Sequence, residues 1–234
     1  MIMIIGLLYS IAIILESKPC IVFFSGGSNL ISPNIYSNFL TQFHGGYKLY
    51  KIPFTFNNYK SKKFSEKLIN ILDRKYDNII FIGHSSGCTT AINKCNNKVN
   101  KLILLDPVKT PFYQSKKNLN YLEGILFLNA ENSYKWSKIP PFLPFIPFLN
   151  IKPEELIINK NKILSIDIKN YGHSDILNNP WRNIMHYSRI SLGNNKRSKK
   201  YINAYHKFLY EHINNFINKN SSISKNLQND LYFI

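Results

Sequence analysis

The chain has 234 residues, 44% of them hydrophobic and 14% aromatic, which is enough for one full-sized core and too few for two comfortable domains. Its 30 Lys and Arg outweigh 13 Asp and Glu for a formal net charge of +17, which favours acidic partners, an anionic membrane surface or nucleic acid. The excess is mostly scattered Lys, densest at Lys196-Arg197-Ser198-Lys199-Lys200 and at Lys60 to Lys63. Neither run carries a nucleic-acid fold signature or interleaved stacking aromatics, so solvated faces or an anionic membrane are the expected uses and no nucleic-acid partner is expected.

The three cysteines, Cys20, Cys88 and Cys95, are odd in number and match no zinc spacing, so neither a disulfide framework nor a metal site is indicated. Reduced thiols favour the cytosol. Residues 1–17 form a hydrophobic N-terminal segment. Within it, Met1 to Leu15 carries no charged side chain, is shorter than the roughly twenty residues of a spanning helix, and lacks the basic start and cleavage site of a signal peptide. An interfacial anchor, an imperfect signal and an outer strand of the sheet stay open for it, so a cytosolic or membrane-associated location is expected. Residues 18–220 read as one α/β domain and residues 221–234 as a tail without periodicity.

Within the domain, Cys20 to Phe24 is a short apolar strand, followed by the turn Ser25-Gly26-Gly27-Ser28. Ser32 as N-cap and Pro33 as first residue open a helix to about Phe43. Tyr47 to Pro53 is a weaker strand, and Phe64, Leu68, Ile69 and Leu72 mark one face of a helix from about Ser61 to Lys75. Asn78-Ile79-Ile80-Phe81-Ile82 is an apolar strand and Ser86 to Asn96 a helix. Val99 to Leu105, Gly124 to Leu128 and Lys162 to Ile168 are further strands. A last helix, from about Ser198 to Asn218, buries the stripe Tyr201, Tyr205, Phe208, Leu209, Ile213 and Phe216. This alternation predicts an α/β fold with a mostly parallel central sheet and flanking helices.

Gly83-His84-Ser85-Ser86-Gly87 is the most informative stretch. It lies between a predicted strand and a predicted helix, the context that turns the pattern G-x-S-x-G into a nucleophile elbow. The turn is so tight that a Cβ at either flank would meet neighbouring backbone, and it holds the serine in a strained conformation. The Ser85 hydroxyl is thereby pushed out of the sheet, and the N–H of Ser86 is aimed where an oxyanion would form.

A serine nucleophile needs a base, and the base needs an acid to set its tautomer. Of six histidines, His173 is best placed, in Asn170-Tyr171-Gly172-His173-Ser174-Asp175 just beyond the last strand. His84 lies inside the elbow and is expected to point away from the site. His44 falls in a connecting turn, His186 in a loop, and His206 and His212 in the final helix. Two residues compete for the acid. Asp106 ends the strand after the elbow unit and is favoured; Glu131 follows the next strand and is the alternative. Asp175 is too near His173 to orient it and is expected to stabilise its loop. Gly27 is the expected second oxyanion donor, since glycine lets backbone approach substrate closely. Finally, Ile139-Pro140-Pro141-Phe142-Leu143-Pro144-Phe145-Ile146-Pro147-Phe148-Leu149 cannot be a regular helix and reads as an apolar lid-like loop or a packing segment.

These pieces resemble the α/β-hydrolase superfamily from Lys18 to about Asn218, and within it chlorophyllase and related lipase-like esterases. The likeness rests on Phe24-Ser25-Gly26-Gly27, Leu105-Asp106-Pro107-Val108 and Tyr171-Gly172-His173-Ser174-Asp175-Ile176-Leu177. It departs from that group in having Ser86-Gly87-Cys88 where Arg-Gly-Gly is usual, Ser25 where His is usual, and little chain before Cys20, which implies a fold reduced at its N-terminus. The group's acid follows the strand after the elbow, which favours Asp106. The resemblance implies a serine hydrolase acting on a carboxylic ester, with Ser85, His173 and Asp106 as triad, Gly27 and Ser86 as oxyanion donors, and no metal or organic cofactor. It does not imply chlorophyll as substrate. Acyl transfer or thioester hydrolysis at the same site, or a degenerate hydrolase whose basic surface binds membrane or an acidic partner, are the alternatives.

Overall fold

A computed structural model describes residues 18–27, 31–53, 58–133, 150–187 and 198–218. The hydrophobic N-terminal segment, the proline-rich stretch 139–149, the start of the basic run at 196 and the tail beyond 220 lie outside the described residues. The strands are β1 (Cys20–Phe24), β2 (Lys48–Lys51), β3 (Ile79–His84), β4 (Lys101–Leu105), β5 (Gly124–Ala130) and β6 (Ile163–Ile168). They form one sheet in the order β2-β1-β3-β4-β5-β6, and every neighbouring pair is parallel. The helices are α1 (Ser37–Leu40), α2 (Asn58–Asp73), α3 (Gly87–Lys94), α4 (Trp181–Tyr187) and α5 (Lys199–Asn218).

Strands β1, β3, β4 and β5 are buried at every residue, as a parallel sheet covered on both faces requires. Successive side chains go to opposite faces. Ile21, Phe23, Ile80, Ile82, Ile103 and Leu105 join one core, closed by Phe39 and Leu40 of α1 and Tyr205, Leu209, Ile213 and Phe216 of α5. Cys20, Val22, Phe24, Phe81, Leu102 and Leu104 join the other, closed by Ile69 and Leu72 of α2 and Ala91 and Ile92 of α3. Strand β2 is a half-exposed edge, and its Lys48 and Lys51 are the kind of residue that keeps an edge from pairing with another chain. Lys101 docks α5: its buried Nζ donates to the Phe216 carbonyl at 3.1 Å and the Ile217 carbonyl at 2.7 Å, near that helix's C-terminus.

The predicted helix from Ser32 to Phe43 is instead broken. The Ser32 Oγ does accept the Asn34 N–H, at 3.3 Å, but a 3₁₀ turn Pro33–Tyr36, the single α-turn α1 and a second 3₁₀ turn Thr41–Phe43 follow. Asn34, Ser37, Asn38 and Thr41 are poor helix formers, and burial of Tyr36, Phe39, Leu40 and Phe43 sets the path instead. The three cysteines are buried thiols. Burial pushes Cys20 and Cys95 up to about 12 and Cys88 well above the ordinary thiol value.

With all strands parallel, their carboxyl ends share one rim. The chain runs outward from β1 to β2, then resumes on the other side of β1 with β3 and proceeds to β6. The boundary between β1 and β3 is therefore a topological switch point, where connecting loops diverge and leave a crevice.

Candidate active site

Ser85 stands at that crevice, between β3 and α3, with φ of 56°. A non-glycine residue in this region is strained, and three backbone hydrogen bonds hold it there. Its N–H donates to the Leu105 carbonyl at 3.0 Å, and its carbonyl accepts from Cys88 at 3.0 Å and Val108 at 3.1 Å. Close approach explains the flanking glycines. A Cβ on Gly87 would lie 2.4 Å from the carbonyl oxygens of Phe24 and Ser25, and one on Gly83 would lie 2.7 Å from the Cys88 Cα. Ser86 is the N-cap of α3, so its N–H lies at the helix N-terminus.

His173 enters from the loop after β6. Its Nε2 is 2.8 Å from the Ser85 Oγ, and its Nδ1 is hydrogen-bonded to Oδ2 of Asp106. A carboxylate only accepts, so Nδ1 carries the proton and Nε2 is left to accept from the serine hydroxyl. Asp106, itself at φ of 47°, follows β4 and is aimed by its surroundings. Its N–H donates to the Leu128 carbonyl at 2.8 Å, its Oδ1 accepts the Ala130 N–H at 3.2 Å, and its Oδ2 also accepts from the Ser133 hydroxyl. Burial would raise the Asp106 carboxyl. The adjoining His173 ring and the hydrogen bonds from His173 and Ser133 outweigh it and hold the group below the usual carboxylate range. An ionised acid, a base in the correct tautomer and a hydroxyl in line with it are the parts of an acyl-transfer site.

No family model and no curated protein matches the sequence. Among solved structures 26 chains match. One is the thioesterase domain SrfTE, which cyclises the lipopeptide antibiotic surfactin. It aligns with 85% of this chain and 92% of its own at a TM-score of 0.50 and 12% identity. The fold is that of the α/β-hydrolases. At 12% identity the likeness carries the fold and not the reaction, and it does not single out chlorophyllase.

The other sequence-predicted residues take distinct places in this α/β-hydrolase fold. Glu131 lies beyond β5, where its Oε2 accepts the Asn170 N–H at 2.8 Å; the carboxylate on the His173 ring belongs to Asp106. Gly27 has φ of 60° and lies in the turn after β1. The preceding Gly26 packs against the elbow: a Cβ there would be 3.4 Å from that of Ser85. Asp175 stabilises the histidine loop, accepting the Gly172 N–H at 2.8 Å and facing Arg182 of α4 at 3.9 Å. His44 is exposed, and the His212 ring packs tilted against Phe208 within α5. Buried His206 is held by desolvation down to about 4. His186 belongs to helix α4 and not to a loop, and its side chain lies outside the described residues. Among the described residues no cluster of His, Cys, Asp and Glu is arranged to hold a metal ion.

Sequence reasoning missed Ser133, Arg182 and Tyr36, and underrated His84. The His84 ring is buried under the histidine loop, 4.7 Å between centroids from the His173 ring, with Nδ1 2.9 Å from the Tyr36 hydroxyl and Nε2 3.1 Å from the His173 carbonyl. The one available signal was its place inside the elbow, next to Ser85.

Proposed function

We propose that this protein is a serine hydrolase that cleaves a carboxylic ester with a lipophilic acyl or alcohol part. The observation that carries the reading is the unbroken array Ser85–His173–Asp106, presented by a strained elbow at the crevice of the sheet. His173 Nε2 takes the Ser85 proton as Oγ attacks the ester carbonyl. The N–H groups of Gly27 and Ser86 hold the resulting oxyanion, and Asp106 stabilises the transient imidazolium. Collapse of the tetrahedral intermediate breaks the ester C–O bond, and His173 returns the proton to the leaving alkoxide. His173 then deprotonates a water, whose attack on the acyl-enzyme releases the acid and restores Ser85.

The preference for a lipophilic ester rests on the stretch 139–149, read as a lid or acyl-binding wall. The described residues on either side of it support this. Ser133 hydrogen-bonds Asp106, and Asn150 bridges Val108 while Ile151 donates to the Pro107 carbonyl, so the described residues that flank the stretch lie at the rim beside Asp106. The segments around Gly26, Asp106 and His173 resemble those of chlorophyllase and lipase-like esterases, but chlorophyll is not proposed as the substrate. An anionic membrane surface is the partner the +17 charge suggests.

The test is labelling by a fluorophosphonate probe, with hydrolysis of an ester panel of varied chain length. Labelling should be lost in Ser85→Ala with the fold intact; labelling that survives refutes the assignment. A preference for short soluble esters removes the greasy wall. Transfer to added alcohols or thiols would reassign the same site to acyl transfer, and failure to react with any serine probe, with salt-sensitive binding to anionic liposomes, would leave a binding module.

A further inference from the structure

A second line of hydrogen bonds runs beneath the triad and takes no part in the proposed proton transfers. The Gly26 N–H donates to the Tyr36 Oη at 3.1 Å; that hydroxyl lies 2.9 Å from the His84 Nδ1; and the His84 Nε2 lies 3.1 Å from the His173 carbonyl. Chemistry fixes the direction of each bond. A carbonyl can only accept, so His84 carries its proton on Nε2. The neutral ring then has a bare Nδ1, so the Tyr36 O–H must donate to it, leaving the phenol oxygen to accept from Gly26. Every member is buried or enclosed, Tyr36 being 0% and His84 3% exposed, and the two rings meet edge to face at 5.4 Å. Burial keeps this protonation pattern: it pushes the Tyr36 phenol up and holds the His84 imidazole down to about 3.

The line joins three segments far apart in sequence: the glycine turn after β1, the elbow and the loop that carries His173. These hold the oxyanion donors, the nucleophile and the base of the proposed reaction. Gly26 leaves the junction no slack, since a Cβ there would stand 3.0 Å from the Tyr36 hydroxyl and 3.5 Å from the His84 Nδ1. We propose that Tyr36 and His84 are positioning residues that lock the glycine turn and the His173 loop to the elbow, so that oxyanion donors and base stand in register with Ser85 before substrate arrives. The role rests on the serine-hydrolase reading and adds to it two residues that never touch substrate. Misplacing a reacting group by a fraction of an ångström costs rate far more than it costs binding, so the loss should fall on the acylation step.

Two measurements test this. Imidazole 15N NMR of the intact protein should find His84 neutral with its proton on Nε2; an Nδ1–H tautomer overturns the proposal without reference to activity. The second compares fluorophosphonate acylation and short-ester kinetics in three variants. His84→Leu fills the same space without either hydrogen bond. His84→Gln can still offer an N–H to the His173 carbonyl. Tyr36→Phe keeps the ring packing and removes the link. His84→Leu and Tyr36→Phe should slow acylation of Ser85 about tenfold, equivalent to about 1.4 kcal/mol, with KM within about twofold, and His84→Gln should recover to within about threefold of the parent. A folded His84→Leu protein that acylates at the parent rate, or Leu and Gln variants equally impaired, overturns the role. Should His84→Leu fail to fold, Tyr36→Phe decides by the same criterion. A parent protein that is not labelled at all sinks the hydrolase reading instead, and the NMR tautomer then still tests the line of bonds.

Discussion

Asp106→Asn is the sharpest perturbation of the proposed mechanism, because the geometry dictates what an amide must do there. Asp106 accepts three donors: the Ala130 N–H on Oδ1, and the Ser133 hydroxyl and His173 Nδ1–H on Oδ2. Asparagine offers one oxygen and one NH2 group. The backbone N–H of Ala130 cannot turn away, so the amide oxygen faces it and the NH2 group faces His173. The imidazole must then accept at Nδ1 and carry its proton on Nε2, where it can no longer take one from Ser85. A wrong tautomer of this kind lowers kcat by roughly 10³ to 10⁴, or about 4 to 5.5 kcal/mol of transition-state stabilisation. KM should move less than threefold, since substrate does not touch the acid. Initial rates on a p-nitrophenyl ester, paired with thermal melting by circular dichroism, measure both quantities. The companion Glu131→Gln should stay within about twofold of the parent, because a glutamine oxygen can still accept the Asn170 N–H. An Asp106→Asn enzyme within tenfold of the parent, beside an inactive Glu131→Gln, would refute the reasoning and transfer the role.

Two further outcomes follow from the same structure. Gly87→Ala forces a Cβ to 2.4 Å from two carbonyl oxygens and should abolish probe labelling or cost about 3 kcal/mol or more of stability; a variant that labels and melts like the parent removes the close-approach account of the elbow. Buried His84 and His206 are held to about 3 and about 4, so below the ordinary value near 6.5 the unfolded chain takes up protons that the folded one refuses. Their contribution is complete above pH 6.5 and is lost as pH falls towards 4 and then 3. At pH 5 the loss is about 2 kcal/mol per histidine, and urea midpoints that are equal at pH 7 and pH 5 would contradict it.

The sheet was legible because its inner strands are apolar throughout, a pattern that burial on both faces imposes and that Ile79 to Ile82 and Leu102 to Leu105 display without interruption. Its edges were less so. Strand β5 extends two residues past Leu128, where Asn129 pairs with Asp167 and Ala130 with Ile168 of β6 and the Asn129 amide donates to Ser165 and Asp167 at 3.3 and 3.0 Å, a pairing visible only once the strands are neighbours. The candidate site divides in the same way. Ser85 announces itself by glycine spacing, and His173 by its place after the last strand. Whether Asp106 or Glu131 faces His173 depends on how far each strand end reaches along the rim, which one chain read in order does not reveal. Tyr36 falls within the predicted helix Ser32 to Phe43 and Ser133 outside every predicted element, and neither position signals a partner. Their hydroxyls gain meaning from partners 48 and 27 positions away.

The three sequestered cysteines turn the chain into its own integrity gauge. Cys88 lies three positions past Ser85 and its Sγ rests 3.6 Å from the Leu105 carbonyl, yet like its two fellows it is too far from ionising to attack an alkylating agent at neutral pH. Once the sheet opens, all three revert to common reactive sulfurs. Iodoacetamide uptake should thus count molecules that have come apart, and under the proposed function fluorophosphonate uptake should count those that are both folded and active. Run side by side in a crude extract, the two reagents would separate a variant that has lost its chemistry from one that has lost its shape.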